Sequence, residues 1–320
     1  MDNVYKRIHD IGIIPVTGVI YAEDAGKLAK SLCDGGLPVA EVTYGTEAAH
    51  DAVIEIKKAC PDMLIGAGPI LTVEQVDSAL HAGAGFITTP IPDPDIVRYC
   101  QSRNIPVIPG FTHAGEIEAA MSMGLDTLIF SPAKGPDGLK TIKALSETYG
   151  TIKFLASGGL TLNDISEYLK EPCISACAGN WMIDEKAIKE KNFGMIEELT
   201  GCAVKTMLGI TIKHIGINDE NEEGADLAYK FAGIFRGKVR ESVKGWFGSE
   251  FAEIMSSKFR TGTHGHIGIG VNDPDRARCY YEALGYSFDE NTAGYFENGD
   301  LEIIYFSGEF GGFALHIVKK

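Results

Sequence analysis

The first 200 or so residues alternate between short apolar runs and longer amphipathic segments, and this rhythm restricts the fold more than any other feature. The spacing of the apolar residues predicts strands for the short runs and helices for the segments between them. The predicted strands are residues 12–16, 39–43, 64–67, 86–89, 106–108, 127–130, 152–156 and 174–178. The predicted helices are residues 22–33, 47–59, 73–81, 95–102, 115–123, 139–149, 162–169 and 185–199.

Apolar strands that alternate with helices indicate a parallel sheet that is covered on both faces. Eight such units in about 200 residues match the smallest closed barrels of this class. An open doubly wound sheet is the rival fold, but it usually has fewer units and a glycine-rich fingerprint after its first strand. Residues 16–19 carry no such fingerprint. We therefore predict an α/β fold whose first domain, residues 1–205, is a (β/α)8 TIM barrel.

A different pattern begins near residue 206 and contains an internal duplication. The sequence KHIGI at 213–217 is echoed 52 residues later by GHIGI at 265–269, an offset that indicates a repeated supersecondary unit. Each copy is followed by an acidic turn, a predicted helix (224–233 and 276–284) and several strand-forming stretches. These stretches are residues 238–243, 245–247, 251–255, 295–297, 301–306 and 313–318. The second domain, residues 206–320, is therefore predicted to be an α+β domain of two βαβββ modules.

The charge and composition exclude several classes of partner. A formal net charge of −15 argues against nucleic acid and anionic membranes, because both require a basic surface. No apolar run approaches the roughly 20 residues of a spanning helix, and the N-terminus lacks the apolar segment of a secretion signal. The seven cysteines are scattered without a CxxC pair, which is typical of reduced thiols. We expect a cytoplasmic protein that acts on a small molecule without an organic cofactor.

Functional groups of a (β/α) barrel gather where its strands end. Glu41 is an acidic residue in the apolar second strand, so its desolvation requires either a structural partner or a chemical role. Gly158 and Gly159 follow strand seven, whereas Gly179 and Asn180 follow strand eight. Bare loop N–H groups beside a helix N-terminus suit an anion, although tight turns also favour glycine. We predict that Glu41 is catalytic and that the other four residues bind a phosphate or another anion.

Five segments of the barrel resemble the 2-keto-3-deoxy-6-phosphogluconate and 4-hydroxy-2-oxoglutarate aldolases. They are EVTYGTE at 41–47, GAGP at 66–69, IPVIPG at 105–110, FSPA at 130–133 and GGLT at 158–161. The resemblance implies that Glu41 is the general acid/base and that a lysine on strand six forms a Schiff base with pyruvate. It also implies an anionic substrate, a 2-oxo acid or a sugar-acid phosphate, and a homo-oligomer, which in this family is often a trimer.

The chain departs from the family at several linked positions. The lysine position is Ile129, which cannot form an iminium ion, and Gly45 replaces an arginine that helps to hold the substrate carboxylate. Pro69 replaces a threonine, and residues 89–91 replace a serine-proline-glycine segment. Two functions therefore stay open. One is an aldolase-like carbon–carbon lyase without the Schiff-base lysine, in which a surrogate lysine or a metal stabilises the enolate. The other is a catalytically silent, ligand-binding barrel with any chemistry in the C-terminal domain.

Three further residues are candidates for the missing chemistry. Lys134 lies just after strand six and Lys153 lies on strand seven, so each is a possible surrogate for the Schiff-base lysine. The alternatives are a solvated side chain for Lys134 and a buried ion pair for Lys153. His113, after strand five, is a candidate acid/base or substrate contact.

The second domain resembles the vicinal oxygen chelate superfamily, which includes glyoxalase I and the extradiol dioxygenases. The similar features are the two HIGI strands, the turn DPDRA at 273–277 and the helix end YYEALGY at 280–286. In metal-binding members each half supplies one ligand from its first strand and one from its last. The resemblance therefore implies the ligands His214, Glu253, His266 and His316. Such a set suits Zn²⁺, Fe²⁺, Ni²⁺ or Mn²⁺; the alternative is that the histidines only end core strands.

Overall fold

The computed structural model describes residues 4–18, 21–219 and 224–320, and it divides into two compact units, Met1–Met207 and Leu208–Lys320. The described part of the first unit contains eight parallel strands. They are β1 Ile13–Thr17, β2 Val39–Thr43, β3 Leu64–Gly68, β4 Phe86–Thr89, β5 Val107–Pro109, β6 Thr127–Phe130, β7 Lys153–Ser157 and β8 Ile174–Gly179.

Helices connect these strands and cover the outside of the sheet. They are α1 Val4–Ile11, α2 Ala22–Asp34, α3 Glu47–Ala59, α4 Val73–Ala82, α5 Pro94–Ser102, α6 Ala114–Ser122, α7 Gly138–Thr148, α8 Ile165–Tyr168, α9 Glu185–Lys189 and α10 Phe193–Leu208. Side chains cap the starts of two helices: the Thr72 hydroxyl accepts the N–H of Gln75, and the Asp93 carboxylate accepts the N–H groups of Asp95 and Ile96. Among the described residues, no helix combines the length and the apolar character needed to cross a membrane.

The strands of the first unit form a nearly closed barrel. The hydrogen-bonded order is β5-β4-β3-β2-β1-β8-β7-β6, and a parallel bridge between Gly110 and Ile129 joins the two ends of this order. All five residues of β3 are buried, as expected for strands that are covered on both faces. The predicted α/β barrel is confirmed at this level.

Two predicted helices of the barrel are wrong in extent. The segment 185–199 is two helices, α9 and α10, because Lys191 has a left-handed backbone (φ 55°) that a continuous helix cannot accommodate. The segment 162–169 contains only the four-residue α8, because the Asp164 carboxylate accepts both the N–H and the hydroxyl of Thr161 and holds a turn there.

The described part of the second unit contains eight strands and two α-helices. They are β9 Thr211–Asn218, α11 Gly224–Phe235, β10 Arg240–Ser242, β11 Gly245–Phe247, β12 Ala252–Met255, β13 Gly265–Val271, α12 Pro274–Ala283, β14 Phe288–Tyr295, β15 Leu301–Phe306 and β16 Phe313–Lys319. A 3-10 turn at Ser257–Phe259 precedes β13. Each half therefore runs strand, helix and three strands.

The two halves share one sheet and are arranged symmetrically within it. The order is β10-β11-β12-β9-β13-β16-β15-β14, with β9 and β13 antiparallel at the centre. Each central strand pairs in parallel with the last strand of its own half, β12 or β16. The strand predicted at 295–297 is wrong: β14 ends at Tyr295, and the chain turns back through an N–H of Phe296 that donates to the carbonyl of Asp300.

Packing between β3 and β4 depends on Gly66, which leaves room for the ring of Phe86. A Cβ placed on Gly66 would lie 2.2 Å from the buried ring of Phe86, whereas a Cβ on Gly45 would meet nothing within 4 Å. Gly66→Ala is expected to lower the free energy of unfolding by about 2 kcal/mol through overpacking, and Gly45→Ala by less than about 0.5 kcal/mol. Urea denaturation of both variants measures the difference. Equal effects would contradict this account of the β3–β4 packing.

Candidate functional site

Glu41 is a buried carboxyl in the middle of β2, not at the strand's end as the sequence suggested. It is paired with Val16 of β1 and Gly66 of β3, and only 9% of its surface is exposed. Burial raises the pKa of Glu41 to about 7, against a smaller opposing effect of a hydrogen bond with the Thr88 side chain. A carboxyl that titrates near neutral pH can both accept and donate a proton during a reaction.

The contact between Thr88 and Glu41 was not predicted from the sequence. Thr88 and Phe86 are two residues apart on β4 and therefore point to the same face of the strand. Both side chains lie against β3: a Cβ on Gly68 would overlap the Thr88 hydroxyl, and one on Gly66 would overlap the Phe86 ring. The two-residue period of β4 places Thr88 on the same face as Phe86, but its contact with Glu41 lies across β3 and has no local signal in the sequence.

The predicted anion loop after β7 is built from main chain. Gly158 and Gly159 have φ values of 90° and 79°, which favour glycine. The N–H of Ala133 donates to Ser157 O (2.7 Å) and the N–H of Lys134 to Gly158 O (3.0 Å), so the loops after β6 and β7 are joined. The helices that follow β7 and β8 have only four and five residues. An anion bound here would therefore contact loop N–H groups and would gain little from a helix dipole.

In the loop after β8, the ring of Trp181 packs against Gly179, as the ring of Phe86 packs against Gly66. Gly179 ends β8, pairs with Pro15 of β1, and has the ring of Trp181 where a Cβ would lie (2.2 Å). The backbone carbonyl of the exposed Asn180 accepts the N–H of Ile183. Among the described residues, the buried indole N–H of Trp181 has no hydrogen-bond acceptor. This loop therefore offers a side-chain donor in addition to main-chain groups.

Neither candidate surrogate lysine is a buried, activated amine. Lys134 is exposed and forms an ion pair with Asp164. Lys153 is exposed at the first residue of β7, the end opposite the predicted site, and donates to the carbonyl of Pro172 at 2.9 Å. Ile129 lies half-buried in β6. His113, before α6, is exposed with its Nε2 3.8 Å from a Glu116 carboxylate oxygen.

In the second unit, three imidazoles converge on one point. The Nε2 atom of His214 lies 3.0 Å from that of His266 and 3.2 Å from that of His316, and the candidate ligand atoms all lie within 4.8 Å of one another. A carboxylate oxygen of Glu253 lies 3.7 Å from Nε2 of His214 and 3.4 Å from Nε2 of His266. The structure thus brings together all four residues that the sequence resemblance implied as ligands.

The repeated His-Ile-Gly pattern explains how two of these rings reach the cluster. Antiparallel pairing places His214 opposite Gly268 and His266 opposite Gly216. A Cβ on Gly216 would lie 2.0 Å from the His266 ring, and one on Gly268 would lie 2.6 Å from the His214 ring. Each histidine therefore occupies the space that the glycine of the other half leaves open.

The electrostatics of the cluster favour the neutral forms of His214 and His316. Burial and the charges of the two neighbouring histidines lower the pKa of His316 to about 3, and burial together with His266 lowers the pKa of His214. Burial raises the pKa of Glu253, but its hydrogen bond and proximity to the imidazoles outweigh this effect and lower it overall. Neutral imidazoles and an ionised carboxylate are the forms that bind divalent metals.

Two further side chains orient the cluster, and neither was predicted from the sequence. The hydroxyl of Thr261 lies 3.1 Å from Nδ1 of His266, on the side of the ring away from the cluster. The ring of Tyr305 stacks on His316 with centroids 4.7 Å apart. A cavity of about 430 Å³ opens beside the cluster. Its lining includes three cations, Lys244, Lys258 and Arg260, which precede β13 in the chain.

The barrel also matches known proteins. A family model for KDPG and KHG aldolase matches residues 4–199. The chain belongs to this family. The 2-dehydro-3-deoxy-phosphogluconate aldolase of Treponema pallidum is 36% identical over 200 residues, which cover 62% of this chain and 95% of the relative. That of Haemophilus influenzae is 39% identical over 196 residues, or 61% and 92%.

A solved structure of the family has the same fold. The KDPG aldolase of Legionella pneumophila, captured with pyruvate as a covalent carbinolamine intermediate, superposes with a TM-score of 0.60 at 32% identity. The match covers 63% of this chain and 99% of that one. The resemblance of the first domain to the KDPG and KHG aldolases is thus confirmed, and the homology supports an aldolase-like function.

The buried carboxyl predicts a specific dependence of stability on pH. Because the folded-state pKa of Glu41 (about 7) exceeds its ordinary value of 4.5, the folded protein binds this proton more tightly than the unfolded chain does. The contribution to stability is therefore fully present below about pH 4.5 and falls as the pH rises to about 7, by about 3 kcal/mol.

Replacing the carboxyl with an amide removes this dependence. Relative to the unchanged protein, Glu41→Gln is expected to gain about 3 kcal/mol of stability between pH 5 and pH 8. Urea denaturation at the two pH values measures this difference. A stability difference that is the same at both values would show that Glu41 titrates normally.

Proposed function

We propose that the barrel is a carbon–carbon lyase that acts on a 2-oxo acid or a phosphorylated keto-sugar acid without a Schiff base at position 129. The observation that carries the proposal is the buried Glu41 carboxyl, whose pKa is raised to about 7 in a barrel of the aldolase family. The names of the relatives, 2-dehydro-3-deoxy-phosphogluconate aldolases, support the substrate class.

Glu41 is suited to both proton transfers of a retro-aldol cleavage. In a 4-hydroxy-2-oxo acid, a base removes the proton of the C4 hydroxyl, the C3–C4 bond breaks, and C3 later receives a proton. A carboxyl with a pKa near neutral pH is populated in both forms, so one residue can take the first proton and return the second. In this proposal the loop N–H groups around Gly158, Gly159 and Gly179 hold the anionic end of the substrate.

The side chain at position 129 is the reason for proposing a different stabilisation of the enolate. Ile129 has no amine, Lys134 is held in an ion pair, and Lys153 lies at the far end of its strand. The developing negative charge then requires hydrogen-bond donors, such as loop N–H groups, or a metal. A bound divalent metal supplies Lewis-acid stabilisation of an enolate.

The second unit supports a second candidate function, a divalent-metal domain of the vicinal oxygen chelate type. The specific observation is the convergence of His214, His266, His316 and Glu253. Nitrogen atoms 3.0 and 3.2 Å apart repel one another unless a proton or a cation lies between them, so the donor set fits Zn²⁺, Fe²⁺, Ni²⁺ or Mn²⁺. The paired βαβββ halves support the same assignment. In this alternative the barrel binds a ligand without catalysing a reaction.

The lyase proposal is tested by pyruvate release from 4-hydroxy-2-oxoglutarate and from 2-keto-3-deoxy-6-phosphogluconate. The protein is expected to cleave at least one of them, and Glu41→Gln to lower kcat at least about 100-fold. Glu55→Gln, at an exposed glutamate of α3, is the matched control and is expected to leave the rate unchanged. Absence of cleavage of both substrates would favour the silent barrel.

The same preparation, treated with pyruvate and cyanoborohydride, tests the absence of a Schiff base. The intact mass is expected to show no adduct under conditions that label a lysine-containing family member. An adduct that maps to Lys134 or Lys153 would instead establish a relocated Schiff base and overturn the lysine-free mechanism.

The metal site is tested by the metal content of purified variants. His316→Ala and Glu253→Ala are expected to weaken metal binding at least about tenfold, while His264→Ala, at an exposed histidine of the same unit, retains the metal. Gly216→Ala removes no ligand but displaces His266 and should also weaken binding. Inductively coupled plasma mass spectrometry after dialysis measures each content. Equal metal content in all four variants would refute the site.

A further inference from the structure

The cavity beside the histidine cluster has an unusual charge for this chain. Its charged lining in the described residues consists of three cations and the single carboxylate of Glu253, whereas the whole chain carries a net charge of −15. The three cations are Lys244, Lys258 and Arg260. Their charges exceed that of the carboxylate by two, before any metal is considered. A cavity of this composition attracts anions.

The cations are available to a ligand. Within the described part of the chain, neither Lys244 nor Lys258 forms an ion pair, and both side chains are exposed towards solvent. Arg260 donates one N–H to the backbone carbonyl of Asp219, which holds the guanidinium in place, and a guanidinium has further N–H groups with which to bind an anion. A fixed guanidinium loses little entropy when it binds a carboxylate in two-pronged geometry.

The remaining lining limits the size and polarity of the ligand. A volume of about 430 Å³ is near the lower end of the range for small-molecule sites, so a large cofactor is excluded. Thr261, Thr292 and Tyr305 line the cavity together with the three histidines, and Met255, Phe259 and Ile303 add apolar surface. The walls therefore combine polar and apolar groups around the cations.

We propose that this cavity binds a small acid with two anionic groups, a dicarboxylate, through Lys244, Lys258 and Arg260. Two negative charges balance the excess of two positive charges, and a monoanion leaves one cation unpaired. The proposal rests on the metal site proposed above only for added affinity, because the three cations act without it. 4-Hydroxy-2-oxoglutarate, a proposed substrate of the barrel, is itself an acid of this class, so one metabolite class could serve both units.

Isothermal titration calorimetry with 2-oxoglutarate and pyruvate tests the charge requirement. In metal-free protein, 2-oxoglutarate is expected to bind at least about tenfold more tightly than pyruvate. Lys244→Gln and Lys258→Gln should each weaken 2-oxoglutarate binding about tenfold, and Lys258→Arg should retain it. Lys230→Gln, at an exposed lysine of α11 outside the cavity, is the matched control and should change nothing. Binding that is indifferent to both cavity lysines would overturn the proposal.

Manganese-loaded protein localises the ligand and separates this proposal from the metal site. Paramagnetic broadening of the 2-oxoglutarate proton signals is expected, and Lys244→Gln should reduce it at equal ligand concentration. If the protein retains no metal but binding depends on the lysines, the metal site fails and the anion cavity stands. If metal binds and 2-oxoglutarate shows no broadening, the anion cavity fails and the metal site stands.

Discussion

The two hydrogen-bonded edges of β1 organise the first unit. β1 pairs with β2 on one side and with β8 on the other, so the first strand joins strands that are distant in the sequence. Through this pairing Val16 lies beside Glu41, and Pro15 lies beside Gly179. β1 therefore lies between the strand of Glu41 and the strand that leads into the loop after β8, although these two features are far apart in the sequence. The bridge between Gly110 and Ile129 then closes the opposite side of the barrel.

Closure also creates the solvent exclusion that gives Glu41 its chemistry. A carboxyl in water titrates several pH units below neutral, where it is a weak base. In this barrel, glycines 66 and 68 bring β4 close, and the Thr88 side chain supplies a hydrogen bond that only partly offsets the desolvation. The protein thus maintains a group that lowers its own stability above neutral pH, which is typical of functional sites.

The sequence was sufficient for the order of elements but not for every boundary. All eight predicted barrel strands overlap observed strands, because each is a continuous apolar run in a parallel sheet. The helix predicted at 185–199 fails because a single left-handed residue, Lys191, has no signature in apolar spacing. The strand predicted at 295–297 is misplaced because polar β14 lies at the edge of its sheet and shows little alternation.

Some residues of the candidate sites could be predicted from the sequence and others could not, for a physical reason. Glu41 and the four cluster residues stand in strands, where local pattern and resemblance fix their position. Lys244 lies in a turn, Lys258 lies within the short 3-10 segment and Arg260 directly follows it. Only the folded sheet shows that these cations border one cavity. Thr88 shares its strand face with Phe86, but its contact with Glu41 crosses β3, which no local pattern reveals.

In β9 and β13 each histidine ring fills the space that the glycine of the other strand leaves open, and this arrangement has a consequence for the origin of the second unit. The pattern is self-complementary: a lone module carries both the ring and the space that a second identical module needs. Two separate copies could therefore have assembled this centre across a twofold axis before they were joined in one polypeptide. Two copies that are joined in one chain no longer need to have the same sequence. The residues that face the centre from the last strands already differ, since one is Glu253 and the other is His316. The present centre is thus pseudosymmetric: its two first-strand histidines are equivalent, and its two last-strand residues are not.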